Sequence, residues 1–240
     1  MNIATDFFIL DSPIETDIGK CHFIKVRDFP TMAQSLNLFS WSKSQIIYNF
    51  SKANKDGSLT PLINELKPLK LFTIVKTVGD LNDAYTNVFK KVLGEDTDLE
   101  KIDEKNFDNL RKLIMKMNCL REEKINPNPE IQKAIERSKR VKQKQNGDSP
   151  DFGDMASSIV SLSSNSYEDL ANMTLYQFHM TYYRIAQIKA YDTSTLFATV
   201  PSEGKKEIED WSKHIDLFKE DSHFVTESQF KSTTGNAVNG

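Results

Sequence analysis

The chain has 240 residues, of which 38% are hydrophobic and 27% charged, and its formal net charge is −3. This length can bury a sizeable core, and the small net charge provides no long-range field that would attract nucleic acid or an anionic membrane. The 9 glycines and 8 prolines are few for the length, which favours long helices over a sandwich or a barrel.

Strand patterns occur only near the start of the chain. The stretches DFFIL (6–10) and CHFIKV (21–26) flank a turn that contains Pro13 and Gly19. This arrangement predicts a small β-hairpin within a segment spanning residues 1–30.

A helical pattern begins at about Thr31. Ser42 and Gln45 have capping-box spacing ahead of an apolar helix face. Apolar residues then recur every three or four positions from about Leu69 to Leu93, which predicts one long amphipathic helix. Gly94 follows at the position of a C-terminal cap.

The next helix carries an apolar stripe and leads to an unusual joint. The stripe comprises Phe107, Leu110, Ile114 and Met117. The joint NPNP (126–129) is expected to be extended, because each proline disfavours a helical residue before it. Asn128 can then cap a helix that begins at Pro129.

That helix is strongly basic, with a net charge of +5 over residues 133–144. Its basic residues are Lys133, Arg137, Lys139, Arg140, Lys142 and Lys144, against the single acid Glu136. It is interpreted as a solvated helix, with an acidic protein partner or nucleic acid as alternatives. No aromatic residue interleaves with the charges, which disfavours base stacking.

The polar, glycine-containing stretch 146–154 is predicted to be a linker between helical subdomains at 31–145 and 155–220, with a disordered tail at 221–240. In the second subdomain, Ser166 with Asp169 and Thr174 with Gln177 have capping-box spacing. A last helical stripe is predicted from Ile208, Trp211, Ile215 and Phe218. The fold class is therefore mainly α: a multi-helix, bundle-like domain with a small N-terminal β-hairpin.

The helix that begins near Thr174 is the most aromatic part of the chain. One face is predicted to be core, and it comprises Leu175, Phe178, Tyr182 and Ile185. Tyr176, His179 and Tyr183 form an adjacent stripe, which either widens the core face or binds a protein partner, including a second copy of this chain.

Catalytic, cofactor and metal sites are not predicted. The chain has no CxxC, HxxxH or GxSxG motif, and on a strand Cys21 and His22 would point to opposite faces. The two cysteines, Cys21 and Cys119, are expected to be free thiols in a reducing compartment, because they lie far apart in a chain without a secretory leader. No apolar run reaches the roughly 20 residues needed to cross a bilayer. A non-enzymatic protein without a cofactor is expected.

Three stretches carry a family resemblance over about residues 10–200. They are SPIETDIGKCHFIKVRDFPT, EEKINPNPEIQKAIERSKR and YEDLANMTLYQFHMTYYRIAQIKAYDTSTLF. In this order they resemble bacteriophage tail assembly chaperone-like proteins from phages of Gram-positive hosts. The resemblance implies a non-enzymatic chaperone that coats the hydrophobic helices of the tail tape measure protein, acts in the host cytoplasm and leaves before the virion is complete.

Two alternatives remain open. The first is a structural component of the virion, such as a tail or baseplate subunit, which would be stoichiometric in purified particles. The second is a nucleic-acid-binding protein that uses the basic helix, which would show salt-dependent retention on DNA.

Overall fold

The computed structural model describes residues 5–146, 149–198 and 209–218. The predicted mainly α fold is confirmed within these ranges. The helices, in chain order, are α1 (Phe29–Ser40), α2 (Lys43–Ala53), α3 (Thr60–Leu66), α4 (Leu71–Thr77), α5 (Gly79–Leu93), α6 (Phe107–Met117), α7 (Pro129–Asn146), α8 (Phe152–Leu162), α9 (Tyr167–Asn172) and α10 (Leu175–Ala198). The predicted tail at 221–240 lies outside the described residues.

The N-terminal hairpin is present but smaller than predicted. Strands β1 (Ile14–Glu15) and β2 (Lys20–Cys21) pair antiparallel across a turn in which the Thr16 hydroxyl donates to the carbonyl oxygen of Gly19 at 2.7 Å. The interpretation of DFFIL as a strand is wrong, because Thr5–Leu10 forms a 3₁₀ helix. Only Phe8 of that helix is buried in the core, whereas Phe7, Ile9 and Leu10 are exposed, so the apolar run does not alternate across a sheet.

The long helix predicted from Leu69 to Leu93 is broken into α4 and α5. Val78 has an extended backbone, with φ −93° and ψ 111°, and Gly79 follows it. The break lets α4 and α5 turn against each other and contribute to a small second core of Ile46, Leu66, Ile74 and Leu81. Helical spacing continues across Val78 in the sequence, which is why the periodicity did not reveal the break.

The predicted helix ends at the other positions are confirmed. Ser42 accepts a hydrogen bond from the Gln45 amide at 3.2 Å, and Ser166 forms a reciprocal capping box with Asp169. The Asn128 side chain accepts from the Glu130 amide at the start of α7. Gly94 has φ +105° directly after α5, a backbone region that favours glycine.

A buried arginine joins the three helices that form the centre of the fold. The Arg111 side chain, on α6, is only 4% exposed. Its Nε donates to the Tyr85 hydroxyl of α5 at 2.8 Å, and its Nη2 donates at 3.1 Å to each of the carbonyl oxygens of Phe39 and Trp41 at the end of α1. Nη1 is paired with the Glu122 carboxylate. The guanidinium therefore satisfies carbonyls that the end of α1 leaves without intrahelical partners.

A largely extended segment, residues 22–26, crosses the main core and bonds to distant parts of the chain. Its last residue, Val26, begins the short 3₁₀ helix Val26–Asp28. The amide of His22 donates to Val92 O at 2.8 Å, and the amide of Ile24 donates to Asn118 Oδ1 at 3.3 Å. On its other side, the amide of Leu175 donates to Ile24 O at 2.9 Å. The main cluster of buried side chains accordingly extends from Phe8 to Leu217.

The last predicted helical stripe is wrong for the residues that can be checked. Ile208 lies outside the described residues, and residues 209–218 form turns. The Asp210 carboxylate accepts from the Ser212 amide at 2.7 Å, which is a local alternative to a helical hydrogen bond. Arg184 of α10 also donates to the carbonyl of Trp211 at 2.8 Å, so this carbonyl has a tertiary partner.

Candidate partner-binding surface

The aromatic helix α10 begins where its sequence predicts. Thr174 Oγ1 accepts from the Gln177 amide at 3.0 Å, and Gln177 Oε1 accepts from the Thr174 amide at 2.8 Å. These two bonds satisfy amides that the first turn of a helix leaves without partners.

The predicted core face of α10 is confirmed. Leu175 and Phe178 are fully buried, and Tyr182 and Ile185 are partly buried against the main core. The ring of Phe178 stacks on Phe152 of α8, with ring centroids 4.5 Å apart. This face fixes the rotation of α10 about its own axis.

The adjacent stripe is divided between the core and the surface, and for Tyr176 the surface interpretation is wrong. Tyr176 is only 6% exposed; its ring edge packs on Phe8 and its hydroxyl donates to Thr5 O at 3.3 Å. The cause is the N-terminal 3₁₀ helix, which lies over the first turn of α10 and accepts a hydrogen bond from Gln177 through Ile9 O. Because the sequence predicts a strand there, it could not predict this cover.

His179 and Tyr183 lie together on one wall of an open groove, which we name the α10 groove. Its volume is about 450 Å³. His179 is partly buried, whereas Tyr183 is 43% exposed. The other walls come from α1, from the loop after α6 and from the segment 209–218. Their lining residues include Phe29, Ala33, Leu36, Cys119, Leu120, Arg121 and Leu217.

Two titratable groups of the α10 groove, His179 and Cys119, are held in their neutral forms. Burial, followed by the nearby positive charge of Arg121, lowers the pKa of His179. Burial raises the pKa of the Cys119 thiol to about 12. These directions are opposite to those of an activated thiolate–imidazolium pair. The groove therefore combines apolar lining with the uncharged side chains of His179 and Cys119 and the cationic side chain of Arg121.

Arg121 fixes one wall of the groove through the backbone. Its Nε donates to the carbonyl oxygen of Leu217 at 2.9 Å, and its Nη2 donates to the same oxygen. Leu217 is buried, and Ile215 and Phe218 of the predicted stripe pack partly buried against the main core.

The far end of α10 exposes two further apolar side chains. Leu196 is 69% exposed and Phe197 is 68% exposed. At 100° per residue, Phe197 lies within about 40° of Tyr183 around the helix. The exposed aromatic face of α10 therefore extends beyond the groove.

A larger cavity, of about 700 Å³, lies beside α6, and the sequence did not indicate it. Phe8, Ile18, Leu110 and Leu113 contribute apolar lining, while Asp17, Lys105, Lys112 and Glu122 are among its charged lining residues. Its lining comes from the 3₁₀ helix, the hairpin and α6 together. Of the apolar lining residues, only Leu110 had been placed by the sequence on an apolar helix stripe.

Other classes of site are not evident in the part of the chain that the structure describes. Within it, no group of three or more His, Cys, Asp or Glu side chains could hold a metal ion. Within the same ranges, no helix is both long and apolar enough to cross a membrane. Cys21 and Cys119 are free, as predicted.

Comparisons with known proteins identify relatives. The YomV N-terminal domain matches residues 1–127, and the YomV second domain matches residues 142–216. The SPbeta prophage-derived uncharacterized protein YomV of Bacillus subtilis (strain 168) is 39% identical over 232 residues, covering 96% of this chain and 97% of that protein. No solved structure matches the chain. The prophage-derived relative supports a phage protein, and the chain belongs to the YomV family.

Proposed function

We propose that this protein is a phage tail assembly chaperone that binds a hydrophobic helix of the tail tape measure protein. The observation that carries the proposal is the α10 groove, in which His179 and a 43%-exposed Tyr183 face an apolar wall contributed by α1. The resemblance of three long stretches to tail assembly chaperone-like proteins supports the same role, and the prophage-derived relative supports a phage origin.

An open apolar groove fits an amphipathic helix better than it fits a small metabolite. Helix-in-groove recognition inserts apolar side chains spaced three and four residues apart into such a surface. Tyr183 suits the role of an anchor, because its ring adds apolar contact area with few rotatable bonds. Burying an aromatic side chain of this size contributes about 1.5–3 kcal/mol, and binding requires several such contacts.

The groove can accept a partner without unfolding the protein. The core stripe of α10, next to the groove residues, is held by the buried Leu175 and Phe178, and Arg121 holds the segment 209–218. The exposed Phe197 lies on the same side of the helix as Tyr183, so a long partner helix could continue along α10.

Co-expression with the tape measure protein of the same phage tests the proposal. The tape measure protein should be soluble with the unchanged chain and should co-purify with it. Tyr183→Asp should abolish both effects, because it places a charge in the apolar contact. Tyr167→Asp is the matched control, since Tyr167 is also exposed, at 62%, but lies on α9.

The proposal fails if Tyr183→Asp, with an unchanged helical spectrum and melting temperature, retains the tape measure protein as well as the control does. A chaperone should also be absent from purified particles. Stoichiometric amounts in particles, measured by mass spectrometry, would instead identify a structural virion component.

A further inference from the structure

We propose that a groove between α2 and α7 binds single-stranded nucleic acid, separately from the α10 groove. We name it the basic groove. Its volume is about 660 Å³, and it is lined by Tyr48, Lys52, Lys133, Glu136, Arg137, Lys139 and Arg140. Five of these seven side chains are basic and one is aromatic.

The single acid of the groove is paired with side chains of α2. Glu136 Oε1 accepts a hydrogen bond from the Tyr48 hydroxyl at 2.5 Å, and its Oε2 lies 3.4 Å from Lys52 Nζ. One turn earlier, the buried Gln132 accepts from the amide of Asn126 at 2.9 Å. Gln132 and Glu136 therefore form a polar inner face that fixes α7 against the rest of the fold.

That docking leaves three basic side chains on one exposed stripe. Lys133, Arg137 and Arg140 are exposed and occupy positions i, i+4 and i+7 of α7. Lys139 also lines the groove, where it pairs with Glu123 at 2.7 Å. No salt bridge to Lys133, Arg137 or Arg140 is found among the described residues.

The spacing of this stripe suits a phosphate backbone. Positions i and i+4 are about 6 Å apart along a helix, which is close to the separation of successive phosphates in an extended strand. The guanidinium groups of Arg137 and Arg140 can each bind a phosphate through two parallel hydrogen bonds.

The aromatic ring distinguishes nucleic acid from an acidic peptide. The sequence of α7 contains no aromatic residue, but the fold places Tyr48 of α2 in the same groove. An aromatic ring beside a basic track is the arrangement that stacks bases of a single strand. An acidic peptide would have no use for the ring beyond ordinary apolar contact.

Fluorescence anisotropy of the full chain with a labelled oligothymidine of roughly 16 nucleotides tests the inference. Three phosphate contacts predict that affinity falls roughly 20-fold between about 50 and about 200 mM salt. The double variant Lys133→Gln, Arg137→Gln should weaken binding at least about tenfold at low salt and flatten the salt dependence. The matched control is Lys112→Gln, Lys116→Gln, which removes the same charge at the same spacing from exposed positions of α6.

The ring is tested by a second pair of variants. Both variants lose the hydroxyl that donates to Glu136, but only Tyr48→Phe keeps the ring. Tyr48→Leu should therefore bind at least about fivefold more weakly than Tyr48→Phe does. The Tyr183→Asp variant should also bind the oligonucleotide normally, because it alters a different surface.

Several results would overturn the inference. They are no binding at low salt, equal loss in the α6 control, or preferential binding of a poly-glutamate peptide that displaces the oligonucleotide. The last result would identify an acidic protein as the partner of the basic groove.

Discussion

Arg111→Ala is expected to be the most informative test of how the fold is held together. The substitution removes the guanidinium that donates to the Tyr85 hydroxyl and to the carbonyl oxygens of Phe39 and Trp41. Because the Arg111 side chain is 4% exposed, water cannot readily replace these bonds. Phe39 O keeps the hydrogen bond from the Tyr85 hydroxyl, whereas Trp41 O loses its bond from Arg111. A buried acceptor left without a donor costs about 1–3 kcal/mol, and the cavity adds to this. The free energy of unfolding should fall by about 3–5 kcal/mol.

Two neighbouring substitutions set the scale for this loss. Tyr85→Phe removes two hydrogen bonds, the one accepted from Arg111 Nε and the one donated to Phe39 O, and should cost about 1.5–3 kcal/mol. Glu122→Gln should cost less than about 1 kcal/mol, because the Glu122 side chain is 43% exposed and the pair is screened by solvent.

Urea denaturation followed by circular dichroism measures all three variants and the Arg111→Ala, Tyr85→Phe double variant. A coupling free energy of about 0.5–3 kcal/mol between the two positions is expected, since the side chains share a hydrogen bond. Arg111→Ala could instead lower the free energy of unfolding by less than Glu122→Gln does. The ion pair with Glu122 would then contribute more to stability than the hydrogen bonds from Arg111 to the buried carbonyls. Such a result would refute the role of the Arg111 guanidinium in stabilising the end of α1.

Two further predictions concern the aromatic helix and alkaline pH. Phe178→Ala should lower the free energy of unfolding by about 3–5 kcal/mol, because Phe178 is fully buried against Phe152. Tyr183→Ala should lower it by less than about 1 kcal/mol in the same urea titration. Equal losses would show that both rings belong to the core. Burial raises the pKa values of Cys21, Cys119 and Tyr85 to about 12, from 9.0 for the thiols and 10.0 for the phenol. Above about pH 9 the unfolded chain therefore binds fewer protons than the folded one, and the free energy of unfolding should fall progressively towards pH 12. Urea midpoints at about pH 8 and about pH 11 check this, and an unchanged midpoint would refute it.

Much of the helical structure was predictable because its signals are local. Three helix ends each depend on a few neighbouring residues, and the structure has all of them as expected. They are the cap at Ser166, the end of α5 at Gly94 and the start of α7 after Asn128. The core face of α10 was predictable for the same reason, since periodicity reports which side chains share a face.

The errors arose where tertiary contacts decide the outcome. The environment of Tyr176 is set by Phe8, which is far away in the sequence, and that of Tyr48 is set by Glu136. Arg111 lies in the amphipathic helix α6, where a charged residue is ordinarily expected to face solvent. It is buried because the end of α1 supplies carbonyl acceptors for its guanidinium. No local pattern contains these partners. The division into subdomains at 31–145 and 155–220 stays a prediction.

The extended segment 22–26 has a consequence for the order of events during synthesis. Two amides of the segment donate to Val92 O and Asn118 Oδ1, and both of these residues are synthesised much later than the segment itself. The hydrogen bond between Ile24 and Leu175 can form only after roughly 150 further residues have been made. At typical translation rates of about 5–20 residues per second, this interval lasts on the order of 10–30 s. During that time, Phe23 and Val26 lack the C-terminal side chains that cover them in the finished core. The nascent N-terminal half therefore exposes apolar surface on the ribosome until α10 has been made, and a ribosome stalled after residue 127 should display a chain that is sensitive to protease.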